Sequence, residues 1–308
     1  MADLHQPVLL NPTVEVLVTD PQGCYIDCTA GGGGHTRALL ERLEQDAVVA
    51  AIDRDEDILN NTRLQLTDSR VRFIQGDFRN LKSLLAAEGI TQADGIMIDL
   101  GVSSFQLDQP ERGFSFHEDA RLDMRMDRNQ AVSAWDVVNH YDQSEITDIL
   151  FKYGEERYAR SIAAAIDRQR SSGPIDTTLQ LVEIIQRSVP AKYRREKHPA
   201  RKTFQALRIE VNRELEAIEE VMPQAVELLR PGGRLCIITF HSLEDRLVKN
   251  FMQLESKECV CPPGMPVCIC SHQARLRLVT RKPLIADAEE CEANPRARSA
   301  KLRAAVRV

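Results

Sequence analysis

The stretch Cys28-Thr29-Ala30-Gly31-Gly32-Gly33-Gly34-His35-Thr36 follows a short apolar run and opens a segment of helical spacing. Glycines in such a turn let the backbone approach a ligand closely and take positive φ. The helix start behind them presents free N–H groups. Two nucleotide-binding patterns can be tested here. A phosphate-binding P-loop needs Lys and Ser or Thr after the glycines, and no Lys stands there. The dinucleotide fingerprint, started at Gly31, needs Gly or Ala where Thr36 stands; started at Gly32 it meets Arg37. Asp53 lies 22 positions beyond Gly31, at the end of the next apolar run, placed to accept hydrogen bonds from ribose hydroxyls. Gly76-Asp77-Phe78 offers a carboxylate and an aromatic face to an adenine, and Asp99-Leu100-Gly101-Val102-Ser103-Ser104 closes a fourth run. A nucleoside ligand without a phosphate cradle points to S-adenosylmethionine. Its sulfonium charge suits Asp27 and Asp99, acids that would repel a phosphate.

Such residues need a scaffold that gathers successive strand ends. Apolar runs at 25–28, 48–52, 71–74 and 95–100 alternate with helical spacing over 36–43, 55–66 and 81–87. That alternation predicts βαβ units and a parallel sheet, which binds ligands at the carboxyl ends of its strands. After Phe105 the alternation stops, and 144–188 is nearly all helical. Thr177 and Gln180 form a capping-box pattern before Leu181, Ile184 and Ile185. A stripe of Phe204, Leu207, Val211, Leu215 and Ile218 predicts one long helix, with Pro223 kinking it, ending it or opening the next one. Pro231-Gly232-Gly233 reads as a turn before a fifth strand over 235–240. The expected class is α/β: a Rossmann-like domain in two parts, 1–105 and 211–308, interrupted by an all-helical insertion, 106–210, and ending in a basic tail.

The chain has 308 residues, 43% hydrophobic and 28% charged, which excludes a disordered or fibrous protein. No apolar run reaches the length of a membrane span, and residues 1–10 lack the basic and apolar parts of a signal peptide, so a cytoplasmic chain is expected. Eight cysteines in that setting are thiols or metal ligands. Cys259-x-Cys261 and Cys268-x-Cys270 read either as a four-cysteine zinc site or as reduced loop thiols. Cys28 and Cys236 read as packing residues. No cysteine directly follows the fourth or fifth strand, so methylation of an amine is favoured over pyrimidine C5 chemistry, which needs a thiol nucleophile.

The net charge of −6 leans against a polyanionic partner, but it averages over unlike regions. Between Arg187 and Arg213 stand Arg187, Lys192, Arg194, Arg195, Lys197, Arg201, Lys202, Arg208 and Arg213 against Glu196 and Glu210. Arg296, Arg298, Lys301, Arg303 and Arg307 crowd the last residues without an acid. Both segments are suited to phosphate neutralisation. Aromatic residues are only 5%, which favours recognition of a folded RNA by shape over extensive base stacking.

Several strings add a resemblance. They are Gly33-Gly34-His35-Thr36, Ala51-Ile52-Asp53-Arg54-Asp55, the run from Asp99 to Ser104, Glu111-Arg112-Gly113-Phe114-Ser115-Phe116 and Leu122-Asp123-Met124-Arg125-Met126-Asp127. Further along come Tyr153-Gly154-Glu155-Glu156-Arg157, Thr203-Phe204-Gln205-Ala206-Leu207-Arg208-Ile209, Phe240-His241-Ser242-Leu243-Glu244-Asp245-Arg246 and Asn294-Pro295-Arg296-Ala297-Arg298-Ser299. Together they resemble the RsmH (MraW) family of ribosomal RNA small subunit methyltransferases. The resemblance implies a class I methyltransferase fold with an inserted recognition domain. It implies methyl transfer from S-adenosylmethionine to N4 of a cytidine of 16S rRNA, position 1402, in the small ribosomal subunit. It assigns Gly33, Gly34 and His35 to the methionine part of the cofactor, Asp53 to the ribose, Phe78 to the adenine, and Asp99 and Gln106 to closing the site. For catalysis, Asp99, a backbone carbonyl between Leu100 and Val102, and Ser103 or Ser104 are expected to accept from the cytosine amine. His241 reads either as a helix cap or as a contact to the target nucleotide. Alternative readings are a methyltransferase of another substrate, an RNA-binding assembly factor on the same fold and, disfavoured by Thr36, a nicotinamide oxidoreductase.

Overall fold

A computed structural model describes residues 7–196, 198–262, 265 and 267–308, and of Ser104 and Glu196 the backbone alone. The chain divides into two compact units, Met1–Gly101 with Leu215–Val308, and Val102–Glu214.

The first unit is built on a seven-stranded sheet: β1 (Cys24–Asp27), β2 (Val48–Asp53), β3 (Val71–Gln75), β4 (Ala93–Asp99), β5 (Leu229–Thr239), β6 (Leu276–Leu278) and β7 (Lys301–Arg307). Their order is β3-β2-β1-β4-β5-β7-β6. The first five are mutually parallel, and β7 runs antiparallel between β5 and β6. This is a Rossmann-like class I arrangement.

The strands read as unbroken apolar runs because both faces are covered. On one face Ile26, Ile52, Ile96, Ile98 and Ile237 pack with Leu81 and Leu85, Val221 and Val226, and Val248 and Met252. On the other, Tyr25, Val49, Met97, Cys236 and Ile238 pack with Leu9, Val14, Leu17 and Leu39. Neighbouring strand residues alternate between the two cores, as a pleated strand requires.

The second unit is helical and has its own core. Its longer helices are Gln143–Gly154, Ala159–Arg170, Thr178–Ser188 and Ala200–Asn212. Ile146, Leu150, Ile162, Ile166, Leu181, Ile185 and Leu207 are fully buried there. The capping box expected at Thr177 and Gln180 is present. Strings that looked motif-like build this unit. Arg112, 3% exposed, donates through Nη2 to the carbonyls of Arg125 and Met126, both at 3.0 Å. Glu156, fully buried, accepts from Tyr193 Oη at 2.6 Å and Tyr158 N at 2.9 Å.

Four sequence expectations change. The unit boundaries fall at Gly101/Val102 and Glu214/Leu215 rather than at 105/106 and 210/211. Val102 and Leu107 pack on the helical core, and Glu214 is held by Arg208 through two contacts of 2.8 Å. The long helix breaks ten residues before Pro223. Arg213 takes left-handed φ of 49°, while Asn212 turns its side-chain amide to the Met124 carbonyl at 2.7 Å. Pro223 sits inside the following helix, Glu214–Leu228. The glycine pair 232–233 lies within β5, where the register against β4 shifts.

The largest change concerns the basic tail. Residues 301–307 form β7, with Leu302, Ala304, Ala305 and Val306 buried. Its cations are spent on the fold: Lys301 Nζ and Arg303 Nε meet the two oxygens of Asp245 at 3.0 and 2.7 Å. A free tail would tolerate truncation of its side chains. Leu302→Ala is instead expected to cost about 2–5 kcal/mol as a core deletion. Urea unfolding measures this; an unchanged midpoint would restore the tail reading.

Candidate active site

The carboxyl ends of β1, β2 and β4 each carry an aspartate, and the glycine loop is tied to all three. Asp27, fully buried at the end of β1, accepts from Thr36 Oγ1 at 2.7 Å and Thr29 N at 3.1 Å. Asp53, ending β2, accepts from Gly31 N at 2.8 Å and Asp55 N at 2.9 Å. Thr62 Oγ1 reaches from the helix Glu56–Gln65 to the Gly31 carbonyl at 2.6 Å. Thr29 Oγ1 accepts from Asp99 N, ending β4, at 2.7 Å. These threonines are the functional residues that sequence reasoning missed. Thr29 and Thr36 sat in plain view beside the glycines, whereas nothing marked Thr62, 31 residues from its partner.

The glycines have distinct tasks. Gly31 and Gly33 take positive φ, 50° and 76°. A Cβ at Gly33 would stand 2.7 Å from Thr62 Cγ2, and one at Gly34 would stand 2.1 Å from Pro7 Cγ. At Gly32 a Cβ would meet no atom within 4 Å, so the loop faces open space there. The helix Gly34–Leu40 then begins with His35 buried.

Burial dominates the electrostatics. It pushes the Asp27 carboxyl up to about 6, against the hydrogen bonds from Thr36 and Thr29. It raises Asp53, and it drives Asp99 well above the carboxylate range, with Asp27 and Glu244 adding repulsion. Burial also lowers His35 to about 4, a hydrogen bond with the Val8 backbone working the other way. His35 Nδ1 and Asp99 Oδ2 stand 3.8 Å apart, too far for a hydrogen bond, and desolvation disfavours the charged form of each. Asp99 Oδ1 is buried with no hydrogen-bond partner. A buried acceptor left open beside a glycine loop with free space at Gly32 fits a polar, cationic ligand better than it fits packing.

Other expected residues fall as follows. Phe78 is half-buried against the sheet core after β3, and Asp77 beside it is held by Arg79 and Arg54 at 2.8 and 3.7 Å. His241 caps the helix Ser242–Glu255, its Nδ1 accepting from Glu244 N at 3.4 Å. Cys28 and Cys236 are buried in the two cores, and burial pushes both thiols up, Cys236 to about 12, so neither is a nucleophile. Ser103 and Gln106 belong to the helical unit. There Ser103 N donates to Gln106 Oε1 and Gln106 N to Ser103 Oγ, both at 3.2 Å. The side chain of Ser104 lies outside the described residues.

Residues 2–308 match the MraW methylase family. The chain belongs to that family. A ribosomal RNA small subunit methyltransferase H from Carboxydothermus hydrogenoformans is 52% identical over 303 residues, covering 98% of this chain and 97% of that one. Proteins of the same name from Symbiobacterium thermophilum and Fusobacterium nucleatum subsp. nucleatum are 49% and 47% identical, with at least 98% of either chain covered. The glycine loop and its three aspartates thus stand at the sheet edge of a methylase-family chain.

Asp27 gives a test of the buried acids. Its folded carboxyl binds a proton more tightly than the unfolded one. The unfolded chain therefore ionises first as pH rises, and stability falls between about pH 4 and 6. Asp27→Asn cannot ionise. Its stability relative to wild type is expected to improve by on the order of 3 kcal/mol across that window, from a shift of about two units. A difference that does not vary with pH in urea unfolding would contradict the buried, protonated Asp27.

Proposed function

We propose that this chain transfers the methyl group of S-adenosylmethionine to N4 of a cytidine of 16S rRNA, position 1402, in the small ribosomal subunit. The observation that carries the reading is Asp99 Oδ1, buried and unpartnered at the end of β4 beside the glycine loop of an MraW-family chain. The relatives, ribosomal RNA small subunit methyltransferases by name, support an rRNA substrate. Among the described residues no helix is long and apolar enough to cross a membrane.

In this reading Gly33, Gly34 and His35 line the methionine part of the cofactor. Asp53, whose oxygens each keep a lone pair beyond the bonds to Gly31 and Asp55, takes the ribose hydroxyls. Phe78 lies at the adenine. Bound there, S-adenosylmethionine would supply an electrophilic methyl carbon on a neutral thioether leaving group. The cytosine amine is a weak nucleophile because its lone pair is shared with the ring, so positioning supplies much of the rate. Asp99 accepts a hydrogen bond from the amine and receives the proton it sheds; its raised proton affinity suits that role.

The helical unit supplies the RNA-facing surface. Lys192, Arg194 and Arg195 are exposed on the helix Ala191–Glu196, and Arg201 is exposed on the next one. Lys202, Arg208 and Arg187 instead bond the Glu155 carbonyl, Glu214 and Glu183. Lys197 lies outside the described residues.

One assay tests the reading: labelled methyl transfer to small subunits from cells lacking the activity, with the modified nucleoside identified by mass spectrometry. N4-methylcytidine is expected. Asp99→Ala and Asp99→Asn are expected to lower kcat by about 100-fold or more. Arg194→Glu with Arg195→Glu should weaken subunit binding and flatten its salt dependence while leaving cofactor affinity unchanged. A different nucleoside, or wild-type turnover in both Asp99 variants, would overturn the assignment.

A further inference from the structure

The loop between the helix Ser242–Glu255 and β6 takes no part in the site above. Its base is closed by Arg275, which donates to both oxygens of Glu255 at 2.5 and 2.8 Å and whose backbone N–H reaches the Glu255 carbonyl at 2.9 Å. Beyond that clamp four cysteines converge. Sγ–Sγ separations are 3.4 Å for Cys259 and Cys268, 3.5 Å for Cys268 and Cys270, 3.7 Å for Cys270 and Cys259, and 4.0 Å for Cys261 and Cys268. All four sulfurs lie within 4.8 Å of one another.

We infer that Cys259, Cys261, Cys268 and Cys270 form a closed, structural zinc site. A tetrahedral zinc with bonds of about 2.3 Å to sulfur sets its sulfurs about 3.8 Å apart, and the observed separations bracket that edge. Disulfides do not account for the cluster: each sulfur has several neighbours at similar distance, and no pair is at bonding distance of about 2.05 Å. Backbone N–H groups of Val260, Cys261 and Ile269 point at Cys270, Cys259 and Cys261 sulfurs at 3.4–3.5 Å. Such donors stabilise thiolates, which carry a net negative charge even when shared with a dication. The side chains are also inverted relative to an apolar core. Val267 and Ile269 are 68% and 73% exposed, more open than the half-buried Cys261 and Cys270. A loop that sends its aliphatic residues to solvent and gathers its sulfurs is ordered by something other than hydrophobic burial.

Four sulfur ligands complete the tetrahedron and leave no position for water or substrate, so the metal is structural rather than catalytic. Binding one zinc ion displaces up to four thiol protons, one per sulfur, with no change of oxidation state. The site also lies beyond the far end of a 14-residue helix from Glu244, whose last residue is about 17 Å further along the axis.

Metal analysis by mass spectrometry on protein purified without chelator tests the site, after reconstitution with zinc sulfate and desalting. About one zinc per chain is expected in wild type and in Cys291→Ser, which removes a cysteine outside the cluster, and near zero in Cys268→Ser. Cys270→His, which keeps a zinc ligand, should retain the metal and so separates ligation from misfolding. Zinc removal should lower the melting temperature and expose four thiols to a chromogenic reagent, while S-adenosylmethionine affinity stays within about twofold. Stoichiometric iron in place of zinc, substoichiometric zinc after reconstitution, or full zinc in Cys268→Ser would overturn the assignment.

Discussion

Desolvation of carboxylates is the constraint from which the rest of the first unit follows. Asp27, Asp53 and Asp99 stand at the ends of three adjacent strands, Asp27 fully buried and the other two partly so, and burial raises the proton affinity of each. Each would be costly there without partners. The chain meets that cost by spending its glycine loop on them: Gly31 N and Asp55 N serve Asp53, and Thr36 and Thr29 N serve Asp27. The loop is thereby drawn into a defined shape, with Gly33 in a conformation and a space that only glycine fills. Asp99 differs. Its backbone is fixed by Thr29, yet its carboxyl keeps one buried oxygen unpartnered.

Much of this half of the molecule was legible in the sequence because its signals are local. A strand buried on both faces is a run of aliphatics, and the glycines and Asp53 occupy the ends of such runs. The glycine loop, Asp53 and Asp99 do come together at one sheet edge. What was not legible depended on distant partners. Residues 301–307 carry three cations, and their charge masked a strand whose Leu302, Ala304 and Val306 fill the sheet. The acid that neutralises Lys301 and Arg303 is Asp245, more than 50 residues away. Pro223 was the visible helix breaker, but the break falls at Arg213, where Asn212 has a tertiary partner in Met124.

The second unit shows the complementary lesson. Distinctive strings such as those around Arg112, Asp123 and Glu156 invite a functional reading, yet their side chains are consumed within the unit: Arg112 by two carbonyls, Asp123 by Arg125, Glu156 by Tyr193. The charge excess between Arg187 and Arg213 likewise divides into cations that hold the fold and an exposed group, Lys192, Arg194, Arg195 and Arg201. An acidic chain thus presents a basic surface on one unit and buried acids on the other, which suits a polyanionic substrate and a cationic cofactor respectively.

The central claim is that the half-buried acid at Asp99 answers the positive charge of the cofactor. S-adenosylmethionine and S-adenosylhomocysteine share every titrating group and differ in the methyl and charge at sulfur. Calorimetric affinities of both ligands from roughly pH 6 to 8 isolate that charge. If Asp99 is neutral without ligand and ionised beside the sulfonium, S-adenosylmethionine binding releases a proton. Its affinity then rises with pH more steeply than that of S-adenosylhomocysteine, by up to about tenfold per pH unit. Parallel pH dependences for the two ligands would contradict the account.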